Sequence, residues 1–206
     1  VGIGPGDPAY LLPKAQKIIE NARIIVGGRR ALADYSHSGA RECAIGADIP
    51  GVLAFIREAL AEDDVVVMVS GDPGYYSLLD ALRRTFSIGQ IEVIPGISSL
   101  QLAFARLALP WHNARLLSFH GREPLETELV RTEGAVLGML TDGRNNSQTI
   151  ATRLLACGWR DEDAMYVCTR LSYADEHILT TTLGAAKDDK GIGHGVIVVC
   201  AHEETI

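Results

Sequence analysis

The chain has 206 residues, which fits one large or two small domains and excludes a long repeat array. Its 47% hydrophobic content against 22% charged residues provides a packed core and excludes a disordered chain. A net charge of −7 without any polybasic run argues against a nucleic-acid partner, and the apolar runs Val65–Val69 and Val196–Ala201 are far too short to span a bilayer. Cys43, Cys157, Cys168 and Cys200 form no CxxC pair, so they read as reduced core thiols rather than a metal or disulfide framework. No histidine spacing suggests a metal site, and no signal-peptide pattern is read, so the expected compartment is the cytoplasm.

In chain order, Val1–Gly4 reads as the end of a strand, running through Pro5-Gly6-Asp7-Pro8 into a helix from Leu11 to Ala22. Arg23–Val26 is a strand ended by Gly27-Gly28, Arg29–Tyr35 a short helix or turn, and Val52–Glu62 a helix introduced by Pro50-Gly51. Val65–Val69 has the nearly continuous apolar character of a strand buried on both faces of a parallel sheet. A helix over Tyr76–Thr85, a strand over Ile91–Ile94 and a helix running to Leu109 complete a β-loop-α series that predicts an α/β domain with a parallel sheet.

The pattern breaks at Pro110-Trp111-His112-Asn113, which places the domain boundary near residue 110, giving domains 1–109 and 110–206. The second domain is read as α/β with a mixed sheet: strands at Leu116–Phe119, Ala135–Leu140, Ala164–Leu171 and Val196–Cys200, and a helix from Ser147 to Cys157 closed by Gly158. Lys187–Gly193 reads as a mobile loop, and Trp111 and Trp159 as packing residues.

Ligands in open α/β sheets gather at the carboxyl ends of strands, where three glycine loops sit. Gly2-Ile3-Gly4-Pro5-Gly6-Asp7 begins like a dinucleotide fingerprint, yet Asp7 falls where the third glycine belongs and would face a pyrophosphate, so NAD is disfavoured. Ser70-Gly71-Asp72-Pro73-Gly74-Tyr75-Tyr76 offers a close backbone approach, a carboxylate and an aromatic pair, which suits a cationic or hydroxylated ligand and equally an ordinary tight turn. Ser98 and Ser99 in Pro95-Gly96-Ile97-Ser98-Ser99 are equally candidates for helix caps.

The combination of GxGPGDP, SGDPGYYS and PGISS resembles the tetrapyrrole (corrin and porphyrin) methylase family, whose members use S-adenosylmethionine. PGISSLQLA, Leu109-Pro110-Trp111, Ser118-Phe119-His120-Gly121-Arg122 and Leu171-Ser172-Tyr173 resemble its cobalamin branch, which methylates C-5 of a precorrin or cobalt-precorrin, and the likeness spans nearly the whole chain. The resemblance implies two α/β domains with the active-site cleft between them and a homodimer; the long form of that branch adds a C15-methylating, decarboxylating domain, an activity that a separate chain would have to supply here. It implies that Pro5, Gly71, Asp72, Tyr75, Ser98, Ser99, Leu140, Thr169, Leu171 and His194 bind the cofactor. Gly6, Arg29, Arg30 and Arg122 would take the substrate and its carboxylates, and His120 and Asp7 are the catalytic candidates, His120 for proton handling. Another tetrapyrrole carbon methylase, a diphthine-type protein methylase and a non-catalytic binding module are the competing readings.

Overall fold

Ile24–Gly27 (β1) is buried along its whole length, and its successive residues Ile25 and Val26 enter two different apolar clusters. Ile25 packs with Ile19, Ala22 and Met68, whereas Val26 packs with Val52 and Ile56, so both faces of the strand are covered. The helices supply those residues by spacing. In Pro13–Glu20 (α1) Ala15 and Ile19 are four apart and buried, and in Ile49–Ala59 (α3) Val52, Ile56 and Ala59 are buried. Proline opens α1 at its first turn, and the Asp48 side chain caps α3 by accepting from Gly51 N at 2.9 Å.

The computed structural model describes residues 1–202 and separates into two units, Val1–Ser98 and the chain from Ser99 onward. In the first unit β1 lies between Arg41–Ala44 (β2) and Val65–Val67 (β3), all parallel. The sheet is extended by Val1–Gly4. Val69 N donates to Val1 O and Ile3 N to Val69 O, both at 3.0 Å, and on the other side Gly2 N donates to Ile94 O at 2.9 Å. Ile91–Ile94, expected as a strand, forms no ladder, because that one hydrogen bond does not make the consecutive pairs a ladder needs. Arg29–Tyr35 (α2) is a helix, and the helix expected from Tyr76 begins at Leu79 (α4, Leu79–Thr85).

The second unit opens with Ser99–Arg106 (α5), so the division falls ahead of this helix, whereas the sequence places it near Pro110. The reason lies in Gly138: a Cβ there would come within 2.8 Å of the Phe104 ring and 3.0 Å of Leu100, so α5 is seated directly on the sheet of the second unit. That sheet is mixed, as expected. Arg115–Ser118 (β4) and Val136–Leu140 (β5) are parallel, and Gly195–Cys200 (β8), Ala164–Thr169 (β6) and His177–Thr182 (β7) follow antiparallel in the order β4-β5-β8-β6-β7. Leu137, Met139, Met165, Val167, Ile197 and Val199 fill its core with Ile150 and Leu154 of Ser147–Ala156 (α7).

The strands β2 and β7, the helix Leu183–Asp188 (α8) and the short helix Glu126–Leu129 (α6) go beyond the sequence reading. The segment read as a mobile loop starts inside α8 and is then fastened to α7, since Ser147 N donates to Ile192 O and Ile192 N to Ser147 Oγ, both at 2.9 Å. Trp159 is a packing residue, its indole donating to Leu129 O at 2.7 Å, but Trp111 is 43% exposed and does not join the core. All four cysteines are free thiols, and burial, with the nearby Glu176 charge, pushes Cys168 up to about 12, so it is inert at neutral pH. Among the described residues no helix is long and apolar enough to cross a membrane.

Candidate active site

Parallel pairing sends the carboxyl ends of β1 and β3 in one direction, and the loops after Gly4, Gly27, Val69 and Ile94 leave from that same end of the sheet. Pro5, Gly6, Asp7, Arg29, Arg30, Gly71, Asp72, Tyr75 and Ser98 therefore share one edge of the first unit, where a parallel sheet presents a ligand site. Three of the loops interlock through backbone. Gly4 N and Gly71 N exchange hydrogen bonds with each other's carbonyls at 3.4 and 2.8 Å, and a Cβ on Gly96 would strike the Gly71 carbonyl oxygen. Gly71 has φ +69, in the left-handed region that glycine enters without strain.

Asp72 fastens this assembly. One carboxylate oxygen accepts from Gly74 N at 2.7 Å, closing its own turn, and the other accepts from Gly96 N at 3.0 Å, joining its loop to PGISS. Asp7 likewise caps the turn at Pro8–Tyr10, accepting from Ala9 N at 2.8 Å. Tyr75 meets Tyr76 edge to face with centroids 4.6 Å apart. Arg29 and Arg30 are exposed in the first turn of α2, and Arg30 lies 4.0 Å from Asp34. A cavity of about 470 Å³ near β3 and Ile91–Ile94 is lined chiefly by aliphatic side chains and includes none of these residues.

The second unit gathers its candidates in the same manner. The register pairs Ser118 with Leu140, Leu140 with Val196 and Thr169 with Gly195, so the ends of β4, β5 and β6 and the start of β8 meet at one sheet edge. His120, Arg122, Leu140, Thr169, Leu171 and His194 all lie there. The His120 ring is exposed and its Nδ1 is 3.3 Å from Thr141 O, a contact that makes Nδ1 the donor and leaves Nε2 to accept. Leu171 is 5% exposed, and His194 has φ +56, with its ring beside Gly143.

The organising residue of this edge is one that sequence reasoning passed over. The Asp142 carboxylate accepts from Gly121 N at 3.1 Å, Arg144 N at 2.9 Å and Asn145 N at 2.7 Å, while its backbone carbonyl accepts from His194 N at 3.4 Å. It thus joins the His120 loop, the loop after β5 and the entry to β8. In the sequence Asp142-Gly143 is an ordinary turn pair, and its distant partners leave no local signal. The backbone donors, Asn145 and Gly121 first, hold this carboxyl down at about 2 against an ordinary 3.8. Because the folded value lies below the unfolded one, the stabilisation is complete above about pH 4 and is lost as pH falls through about 2. Thermal unfolding of wild type and Asp142→Asn is expected to differ by a constant gap down to about pH 4 that narrows below it; a gap unchanged at the acid end contradicts this role.

The family model for the Tetrapyrrole (Corrin/Porphyrin) Methylases matches residues 1–187. The chain belongs to the tetrapyrrole methylases. Within that family it is 31% identical to the cobalt-precorrin-7 C(5)-methyltransferase of Salmonella typhimurium over 96% of each chain. It is 30% identical to the decarboxylating precorrin-6Y C(5,15)-methyltransferase of a Sinorhizobium species, matching 98% of this chain and 48% of that longer one. The fold is shared with uroporphyrin-III C-methyltransferase from Thermus thermophilus, solved with S-adenosylhomocysteine, at a TM-score of 0.76 and 22% identity over 97% of this chain and 94% of that one. The α/β architecture expected of a tetrapyrrole methylase, with a parallel and a mixed sheet, is the one observed.

Proposed function

We propose that this protein transfers a methyl group from S-adenosylmethionine to C-5 of a corrin precursor of the cobalt-precorrin-7 class. The observation that carries the reading is the identity to the Salmonella C(5)-methyltransferase, held over 96% of both chains. The loops of the first unit suit that cofactor. Residues 1–8, 70–76 and 95–99 contain the carboxylates Asp7 and Asp72 and no lysine or arginine, which favours a ligand bearing sulfonium and ammonium charge over one bearing a pyrophosphate.

When bound, S-adenosylmethionine supplies an electrophilic methyl group on a positively charged sulfur. Its transfer to carbon is an in-line displacement, so the chain contributes alignment and exclusion of water and needs no covalent nucleophile. Pro5, Gly71, Asp72, Tyr75, Ser98 and Ser99 are assigned to holding the cofactor, and Leu140, Thr169, Leu171 and His194 to its adenosine. Asp72 does so as a loop already fixed by its two backbone hydrogen bonds. Arg29, Arg30 and Arg122, with the Gly6 backbone, are assigned to the substrate and its carboxylates, a pairing to which the guanidinium fork is fitted.

His120 is assigned to the proton released from the macrocycle, through Nε2, since Nδ1 is turned to Thr141 O. Asp7, which caps the turn at Pro8–Tyr10 through Ala9 N, is assigned to the same task. We assign this chain the C-5 transfer, acting as a cytoplasmic homodimer, with a chain that carries out C-15 methylation and decarboxylation as its partner. The test is transfer of a carbon-13 methyl group from S-adenosylmethionine to cobalt-precorrin-7. A new methyl at C-5 is expected, and label at a different carbon overturns the reading.

A further inference from the structure

Leu171, assigned above to the adenosine, sits between two residues of left-handed backbone, Arg170 at φ +53 and Ser172 at φ +71. Side-chain-bearing residues hold that conformation only where their surroundings impose it. The loop supplies part of the restraint itself. Tyr173 N donates to Arg170 O and Glu176 N to Tyr173 O, both at 3.0 Å, and the Arg170 guanidinium lies 4.3 Å over the Tyr173 ring while pairing with Asp175 at 2.9 Å.

Those contacts lie within the loop, and Glu176 reaches beyond it. Its Oε2 accepts from Ser172 N at 2.7 Å, at one of the two strained positions, and the same carboxylate takes the fork of Arg106, Nε at 2.6 Å and Nη2 at 3.3 Å. Arg106 stands in the last turn of α5, the helix seated on Gly138, so the loop is referenced to the core of the second unit. The Glu176 side chain is 20% exposed, and the bidentate geometry is the strong form of a carboxylate contact.

We propose that Glu176 is a positioning residue for the cofactor: through Ser172 and Arg106 it fixes where Leu171 stands at the sheet edge, and so sets affinity for S-adenosylmethionine without entering the chemistry. The proposal rests on the assignment of Leu171 to the adenosine. The Arg106 and Ser172 contacts hold the Glu176 carboxyl below its usual range despite burial, so it is a charged acceptor at neutral pH.

The experiment is calorimetric titration of wild type, Glu176→Gln and Glu176→Ala with S-adenosylhomocysteine, alongside steady-state kinetics. Loss of a hydrogen-bonded charge contact gives about a tenfold weaker Kd and a matching rise in KM for S-adenosylmethionine in Glu176→Ala, with kcat at saturation unchanged. Glu176→Gln, which keeps an acceptor for Ser172 N, is expected to recover part of the loss, and Arg106→Gln to reproduce that partial loss from the other side. Folded variants, by circular dichroism, that bind with wild-type affinity overturn the proposal, as does a fall in kcat with KM unmoved. A wild-type protein that fails to bind S-adenosylhomocysteine overturns the cofactor reading itself, which is a separate outcome.

Discussion

Replacement of Arg131 by methionine is expected to cost about 3–5 kcal/mol of stability, the range for removing one partner of a buried ion pair. Asp163 has no exposed surface, and Arg131 meets its two oxygens at 2.8 and 3.1 Å. The same carboxylate accepts from Arg160 N at 2.8 Å and His202 N at 2.7 Å, tying the turn before β6 to the segment after β8. Burial alone would raise the Asp163 pKa, but Arg131 and the two backbone donors prevail and hold it below its ordinary 3.8. Its stabilisation is therefore present at neutral pH and lost as pH falls below that ordinary value. In Arg131→Met the charge stays buried with its fork gone. Adding Asp163→Asn removes the charge while keeping an acceptor, so the double variant is expected to be more stable than Arg131→Met alone. Urea denaturation at neutral pH reads both, and a loss below about 1 kcal/mol in Arg131→Met contradicts the account.

Gly96→Ala is the second large effect, and it falls on binding as much as on stability. The new Cβ would strike the Gly71 carbonyl oxygen and come within 2.9 Å of Gly2 Cα and carbonyl carbon, all backbone atoms that cannot rotate aside. The PGISS loop must then move away from the other two, breaking the Asp72 contact to Gly96 N. Overpacking of this kind costs about 1–3 kcal/mol. Because the displaced loops are those assigned to the cofactor, affinity for S-adenosylhomocysteine is expected to fall at least about tenfold, a change of roughly 1.4 kcal/mol. Gly89→Ala is the matched control, since a Cβ there meets nothing within 4 Å. Calorimetric titration and thermal melts of the two variants should separate them; equal behaviour would mean that the interlock does not shape the site.

The elements legible in the sequence are those with a continuous or periodic apolar pattern, although Val65–Val67, read as buried on both faces, is half-buried at the edge of the three-stranded sheet. Ile24–Val26 and Val65–Val67 are runs of aliphatic residues closed by glycine loops, and α1, α3 and α7 repeat buried residues at helical spacing. The strands missed, Arg41–Ala44 and His177–Thr182, lie at sheet edges and are mostly exposed or half-buried, so they carry no clear alternation. The division between units was displaced because Pro110-Trp111 is a conspicuous break, whereas the seating of α5 on Gly138 joins residues far apart in the chain. The site divides along the same line. Glycine loops show themselves by composition, but Asp142 and Glu176 act on the backbone of loops distant in sequence or on another helix, and neither stands in a motif.

Regiochemistry bears most directly on the central claim. Carbon-13 NMR of cobalt-precorrin-7 after a single turnover with methyl-labelled S-adenosylmethionine should show one new methyl resonance, at C-5, with S-adenosylhomocysteine formed in equal amount. Label at another ring carbon, or cofactor bound without any transfer, would contradict it.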